Sequence, residues 1–432
     1  MSEKTEQKQV KKLLSLMKNI QEYSSFQQII RCASKKLGDM YLQSKQIDLA
    51  EKLYLISNFI VPNDSESFAN LAKFYYDQEN IDKAFNFICK AVECSKNNVE
   101  LLLNAGIISA DCGKFDEALN FYQSVLKIDP DNNKAKFGLA VENFKKGNLL
   151  DAYKLFIHRH SAFKTDQTLA LELTSIPKWD GKSEGKIVIY NEQGYGDFIF
   201  GLRYLNLIQN DFCFYIDNNI NSLFKKTILE SLNKRVLKKV KYRCSILDLP
   251  SLFEYKDFNS DTYQKIFKSY KKEKTKKTIG LIFSGGKGYS ADKRRSIHLS
   301  KFKKLLENKD YEITLFQKNL KDNIYFDIEL PDHVKICRCE NFYATAQALR
   351  KMACVVSVDT SVAHLSGALG IPTFVLLDKF PDYRWWTADK STPWYNSWTL
   401  CKQKIRGSWK EPVDQVCKHV KKLFNGHLLN YR

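Results

Sequence analysis

Ala50, Ala84, Ala118 and Ala152 recur at a spacing of 34 residues, and a fixed period of this length limits the fold more than any other feature of the chain. In the same register Leu37, Leu71, Ala105 and Leu139 each precede a small residue: Gly38, Ala72, Gly106 or Ala140. Small residues let two helices approach closely, and a helix pair cannot bury its apolar face without a neighbour. Tyr54, Ile88, Tyr122 and Phe156 keep the same period and are placed to fill the space between units. The spacing therefore predicts four stacked helix pairs over about residues 31–160.

The period resembles that of tetratricopeptide repeats, whose concave face commonly holds an extended peptide or a protein partner. A plain helical spacer is the alternative, because the repeat shows the scaffold and not its ligand. Asp129-Pro130-Asp131 has the look of an acidic metal motif, but it falls between repeats and reads as turn chemistry.

After Pro177-Lys178-Trp179-Asp180-Gly181 the period stops, and β-rich runs alternate with helical stretches. Strands are expected at about 186–190, 212–216, 240–244, 278–283, 312–316, 334–337, 355–358 and 373–377. Such alternation implies parallel, doubly wound sheets, with ligands in the crevice at the carboxyl ends of the strands. The basic stretch from Tyr270 to Lys277 is the natural linker between two sheets. This gives three domains: a helical one over 1–160, then Rossmann-like ones over 161–273 and 274–432.

With 44% hydrophobic residues among 432, there is ample material for buried cores. The start of the chain is polar and no apolar run is long enough to span a membrane, so a cytoplasmic protein is expected. The eleven cysteines are an odd number, and Cys337 and Cys339 lack the spacing and second pair of a zinc site, which fits a reducing compartment. The net charge of +19 comes mostly from Lys runs such as Lys271 to Lys277, without the arginine and aromatic interleaving of a nucleic-acid platform. These runs read as solvated faces, or as attraction to an acidic substrate or an anionic membrane surface.

Four motifs carry chemistry. Glu192-Gln193-Gly194-Tyr195-Gly196-Asp197 follows a strand and opens a helix. A dinucleotide site would also place glycines here, with Asp217 near the ribose, but Ile199 takes the third glycine position and Asp197 puts a negative charge where pyrophosphate would sit. Asp197 suits either a helix cap or a base that takes a proton from an attacking hydroxyl. In Ser357-Val358-Asp359-Thr360-Ser361-Val362-Ala363-His364-Leu365 a buried strand runs into a capped helix whose free amides can hold a diphosphate. His364, one turn in, is either a ligand to that anion or a core histidine. Ser284-Gly285, at a strand end, precedes Arg295-Ser296, a charge fork for phosphate or a solvated run. Asp382, Arg384 and Trp385, with Pro393-Trp394-Tyr395 beyond, suit a sugar or a core.

In order and kind, these motifs resemble the glycosyltransferase family 9, or heptosyltransferase-like, domain, as it occurs behind tetratricopeptide repeats. The resemblance runs from about Trp179 to the end, and the block from Ser357 to Pro372 is its most specific part. It implies a tetratricopeptide superhelix followed by a GT-B fold, and an inverting transfer from a nucleotide-diphosphate sugar that needs neither metal nor cofactor. Asp197 and His364 would be catalytic. Ser284, Gly285, Arg295, Ser296, Gln317, Asp359, Thr360, Ser361, His364 and Leu365 would face the donor. Glu192, Gln193, Gly194, Gly196, Asp382, Arg384 and Trp385 would lie on the acceptor or sugar side. The acceptor would be a protein or a surface glycan, and a protein could dock on the repeat groove. Phe283 and Tyr383 stand where the family has Trp, and Ala344 where it often has Asp, so neither base nor sugar is specified. Two rivals are a repeat-based adaptor whose transferase domain binds a nucleotide without turnover, and an NAD-type oxidoreductase.

Overall fold

The structure is a computed structural model that describes residues 24–44, 46–60, 64–227, 229, 237, 239–253, 261–270, 277–286, 292–317, 320–385 and 392–426. Most of the 270–277 linker and its lysine run lies outside these residues. The chain divides into two compact units, Met1–Glu142 and Asn143–Arg432.

The first unit is an array of antiparallel helix pairs: α1 (Ser24–Gln43) with α2 (Ile47–Ile60), α3 (Ser65–Asp77) with α4 (Ile81–Cys94), and α5 (Val99–Asp111) with α6 (Phe115–Ile128). The division between units falls inside α7 (Asn133–Lys146). Side-chain caps fix where the helices begin: Asp64 accepts the Glu66 amide, Asn80 that of Lys83, and Asn98 those of Glu100 and Leu101. Ala50, Ala84 and Ala118 are fully buried, as the period requires, and Tyr54 and Ile88 fill the core beside them. Leu37 departs from its register mates at 43% exposure, since no described unit precedes α1 to cover it. Asp129 to Asn132 form the turn between α6 and α7, with Asn132 donating to the Asp129 carboxylate at 3.0 Å.

After the end of α7 the second unit continues with α8 (Leu149–Phe156) and the short α9 (Arg159–Ala162), helices that the 34-residue period had assigned to the repeat array. A first sheet, all parallel, has the order β2-β1-β3, from β1 (Lys186–Tyr190), β2 (Phe212–Tyr215) and β3 (Val240–Ser245). A second sheet, also all parallel, has the order β6-β5-β4-β7-β8-β9. Its strands are β4 (Thr278–Ile282), β5 (Glu312–Leu315), β6 (Val334–Ile336), β7 (Cys354–Val358), β8 (Thr373–Leu377) and β9 (Trp398–Lys402). The strand β9 is not among those expected from the sequence. Cys337 and Cys339, just past β6, are joined by a disulfide.

Renumbered from β4, the second sheet runs 3-2-1-4-5-6, the doubly wound order in which connections leave β4 and β7 in opposite directions. Its central strands β7 and β8 are buried on both faces, while β5 and β6 leave Glu312, Lys335 and Ile336 exposed, and Val413, Val416 and Val420 of the last helix (Lys410–Phe424) close one side. No helix among the described residues is long and apolar enough to cross a membrane.

Candidate functional site

In a doubly wound sheet the neighbouring strands whose connections diverge leave a crevice at their carboxyl ends. In the second sheet these are β4 and β7, so Ser284-Gly285 and Asp359-Thr360-Ser361 flank that crevice. In the first sheet the corresponding position comes after β1, where Glu192 to Asp197 lead into a helix, Tyr195–Gly201.

The two loops meet. A β-carbon on Gly196 would stand 2.9 Å from His364 Cδ2 and 3.5 Å from Ser361 Cα, so only glycine allows this approach. Asp197 accepts the Gly194 amide at 3.1 Å, closing the helix start as half a capping box, and also pairs with Arg384 Nη1. Arg384 is shared, since its Nε donates to Asp382 at 2.9 Å. Burial pushes the Asp197 pKa up; Arg384 opposes this, Asp382 and Asp359 reinforce it, and the net direction is up. Asp359 is raised in the same way by burial, although Trp385 Nε1 donates to it at 2.6 Å.

The residues expected to face a donor gather around the second crevice. Thr360 caps the helix Ser361–Ala368 by accepting the Ala363 amide at 3.3 Å. The amides of Ser361 and Val362 have no acceptor among the described residues, and both residues are half-buried. Arg295 donates to the Asp359 carbonyl at 2.8 Å and to Asp292 at 2.9 Å. Ser296 accepts the Gly285 amide at 3.0 Å. A β-carbon on Gly285 would lie 2.2 Å from Asp292 Oδ1 and 2.5 Å from Arg295 Nη2, so that glycine too is required. Asn323 donates to Ser284 Oγ at 2.7 Å, and Gln317 Oε1 is buried without a partner among the described residues.

Several sequence-selected residues serve the scaffold instead. Leu365 is fully buried, so its side chain packs in the core and cannot line a ligand. His364 is 2% exposed, bonded through Nδ1 to the Tyr395 hydroxyl at 2.9 Å and packed against Trp385 and Trp398. Burial, reinforced by Arg384, Arg203 and Arg295, holds its pKa well below the ordinary value. It is a neutral imidazole and brings no positive charge to an anion. Trp385 is 1% exposed, and the Trp394-Tyr395 pair packs on the guanidinium of Arg203, which is itself fully buried. These aromatics form an interior and offer no open platform for a sugar.

Glu192 also turns away from the crevice, with its side chain only 2% exposed. It sits with Arg159, His160 and Asp248 in a buried cluster that sequence reasoning missed, because α9 fell inside the apparent repeat. His160, Glu192 and Asp248 bring ligand atoms within 4.8 Å of one another, the spacing of a metal site. The Arg159 guanidinium bridges the two carboxylates, however, and His160 is held protonated, so the donor set fits a closed ion cluster better than a cation.

The tetratricopeptide repeat family matches residues 99–132, which include α5 and α6. BBSome complex member BBS4 of Bos taurus is 32% identical over 100 residues, a match spanning 23% of this chain and only 19% of that protein. YrrB, a tetratricopeptide protein with an unusual peptide-binding site, aligns at 20% identity over 40% of this chain and 87% of that one, with a TM-score of 0.29. The first such domain of Spaghetti (RPAP3), bound to an HSP90 peptide, aligns at 21% identity over 26% and 90%, with a TM-score of 0.25. The N-terminal helices are thus tetratricopeptide repeats, and the second unit is of the α/β class with two parallel sheets.

Proposed function

We propose that the α/β unit is a GT-B glycosyltransferase that moves a sugar, with inversion and without a metal, from a nucleotide-diphosphate donor to an acceptor hydroxyl. The observation that carries this reading is the close approach of Gly196, the residue before Asp197, to Ser361 and His364 in the helix Ser361–Ala368 of the second sheet. The diphosphate would lie on the amides of Ser361 and Val362, beside Arg295 and Ser284-Gly285. Gln317 Oε1 would accept a hydrogen bond from the nucleotide. The acceptor oxygen would attack the anomeric carbon while Asp197 takes its proton, and the bond from that carbon to the diphosphate breaks with both electrons on the leaving oxygen. Arg384 now covers Asp197, so the acceptor would have to draw Asp197 away from it, leaving Arg384 on Asp382.

That same pairing favours a second reading, an adaptor whose nucleotide site does not turn over. A panel of UDP, GDP and ADP sugars, read by mass spectrometry for released nucleotide, separates the two. Asp197→Asn should cut turnover about a hundredfold or more with donor affinity near normal, since a positioned base contributes ~10²–10⁴. Full activity in the variant would remove Asp197 from the role, and binding without turnover in the parent would favour the adaptor.

The repeats supply a groove for a peptide or protein, and the acceptor or its carrier would dock there. A truncation that tests this must stop before Asn143, because α8 and α9 belong to the α/β unit. Unchanged acceptor choice in that truncation would refute docking on the repeats.

A further inference from the structure

Four charged side chains, all at least nine-tenths buried, meet beneath the Glu192 loop. Side-chain exposure is 1% for Arg159, 4% for His160, 2% for Glu192 and 10% for Asp248. Arg159 Nε donates to Glu192 Oε1 at 2.9 Å and Arg159 Nη2 to Asp248 Oδ1 at 2.6 Å. His160 Nδ1 lies 2.7 Å from the Thr165 hydroxyl and forms an ion pair with Glu192 Oε2 at 3.1 Å, and its Nε2 lies 3.0 Å from Asp248. Ser245, the last residue of β3, donates to Glu192 Oε1 at 2.7 Å. Two positive and two negative groups balance. Burial of so many charges costs several kcal/mol per ion unless geometry and hydrogen bonds offset it, and an apolar replacement could be as stable. What such a cluster supplies better than an apolar core is a fixed orientation.

We propose that Arg159, His160 and Asp248 are positioning residues: they grip Glu192 and thereby hold the loop 191–197 so that Asp197 faces the second sheet. The part of this that concerns reaction rests on the transferase reading; the part that concerns the loop does not. The cluster ties the residue that leaves β1 to the turn after β3, using a helix from before the sheet as the clasp. From Glu192 the loop runs through the Asn191 side chain, which donates to the Gln193 carbonyl at 2.8 Å, to the Gly194 amide, which donates to Asp197. Freeing Glu192 unpins this short run from its start, and the Gly194 and Arg384 bonds to Asp197 loosen with it.

The test uses the full chain with Glu192→Gln, which keeps shape and removes the charge, and Arg159→Met as a harsher variant. Amide exchange read by mass spectrometry should quicken about tenfold or more in peptides covering 191–197, and stay unchanged in β4, β7 and β8. The acid limb of the donor-turnover pH profile should move in Glu192→Gln, since Asp197 is faced by Arg384, Asp382, Asp359 and the Gly194 amide and would lose part of that set. Donor KM should stay within about twofold, because the donor's contacts lie on the other sheet. A smaller active fraction would lower kcat but could not move the limb. Arg159→Lys, which keeps the charge without the fork, should fall between parent and Arg159→Met. If Arg159→Met does not fold, Glu192→Gln decides. Unchanged exchange over 191–197 overturns the proposal. Faster exchange with an unmoved acid limb confines the cluster to the loop's stability and overturns its part in the reaction. A parent that releases no nucleotide from any donor refutes the transferase reading alone, and exchange still decides the grip on the loop.

Discussion

Raising the pH from 6.5 to about 8 should weaken the α/β unit, and one imidazole should account for the loss. Burial alone would push the His160 pKa down, but its bonds to Asp248 and Glu192 outweigh burial and lift it from 6.5 to about 9. A group whose pKa is higher in the folded state contributes stability that is fully present below pH 6.5 and is lost as the pH climbs through 9. The gap of 2.5 (9 − 6.5), at about 1.36 kcal/mol for each, gives about 3.4 kcal/mol in all. About 1.6 kcal/mol of it should be gone between pH 6.5 and about 8. The window ends there because the Cys213 and Cys244 thiols, raised by burial from their ordinary 9, add a loss of the same sign above it. All six tryptophans, Trp179 to Trp409, lie in the second unit, so urea unfolding followed by tryptophan fluorescence reports on that unit alone. His160→Gln should be less stable than the parent by about 3 kcal/mol at pH 6.5, with the gap narrowing by about half at pH 8. Parallel stability curves for parent and variant across this window would refute the assignment.

The close approaches and the Asp197 pair set three further outcomes. Gly196→Ala places a β-carbon 2.9 Å from His364 Cδ2, so it should cost about 1–3 kcal/mol in urea unfolding and lower transfer activity. In the repeats, β-carbons on Gly106 and Gly138 would each meet the Tyr122 ring at 2.5 Å; Gly106→Ala should cost about 1–3 kcal/mol in helical unfolding read by circular dichroism, and Tyr122→Leu in the same chain should recover part of it. Arg384→Met removes the cation facing Asp197 while Asp382 and Asp359 remain, so the acid limb of turnover should rise by about 1–3 pH units; an unmoved limb would mean that Asp197 is not the titrating group.

The repeat array and eight of the nine strands were legible because each rests on a local period, 34 residues in one case and short apolar runs in the other. The strand Trp398–Lys402 was not, since its aromatic and cysteine content reads equally as a packed loop, and only pairing with β8 makes it a strand. Left-handed backbone at Glu79, Gly113 and Gly147 repeats the same period (113 − 79, 147 − 113), but Glu79 hid it because glycine marks only two of the three. At the site, glycines and the Thr360 cap could be read from spacing, since each answers a local backbone demand. The partners of Glu192 could not: Arg159 and Asp248 are 33 and 56 residues away from it (192 − 159, 248 − 192), and nothing local marks Arg159 as other than one more basic residue in a repeat. The charge state of His364 was hidden for the converse reason. Its motif is local, while its neutrality comes from the rings and arginines folded around it.

The two charge clusters of the α/β unit differ in a way that separates scaffold from chemistry. Around Glu192 the signs balance: burial would raise both carboxylates, but Arg159 and His160 hold them below the ordinary range, so neither would accept a proton at neutral pH. Around Asp197 three carboxylates crowd near Arg384, and burial leaves Asp197 and Asp359 above their ordinary value. A carboxylate with a depressed pKa is a fixed charge, whereas one held high can take up a proton during a reaction. Arriving phosphates would pull on Arg295, and an acceptor would draw Asp197 away from Arg384, which stays on Asp382. On that reasoning the balanced cluster would orient the loop and the unbalanced one would carry the proposed proton transfer, so that Glu192 and Asp197, five positions apart (197 − 192), would be acids of opposite purpose.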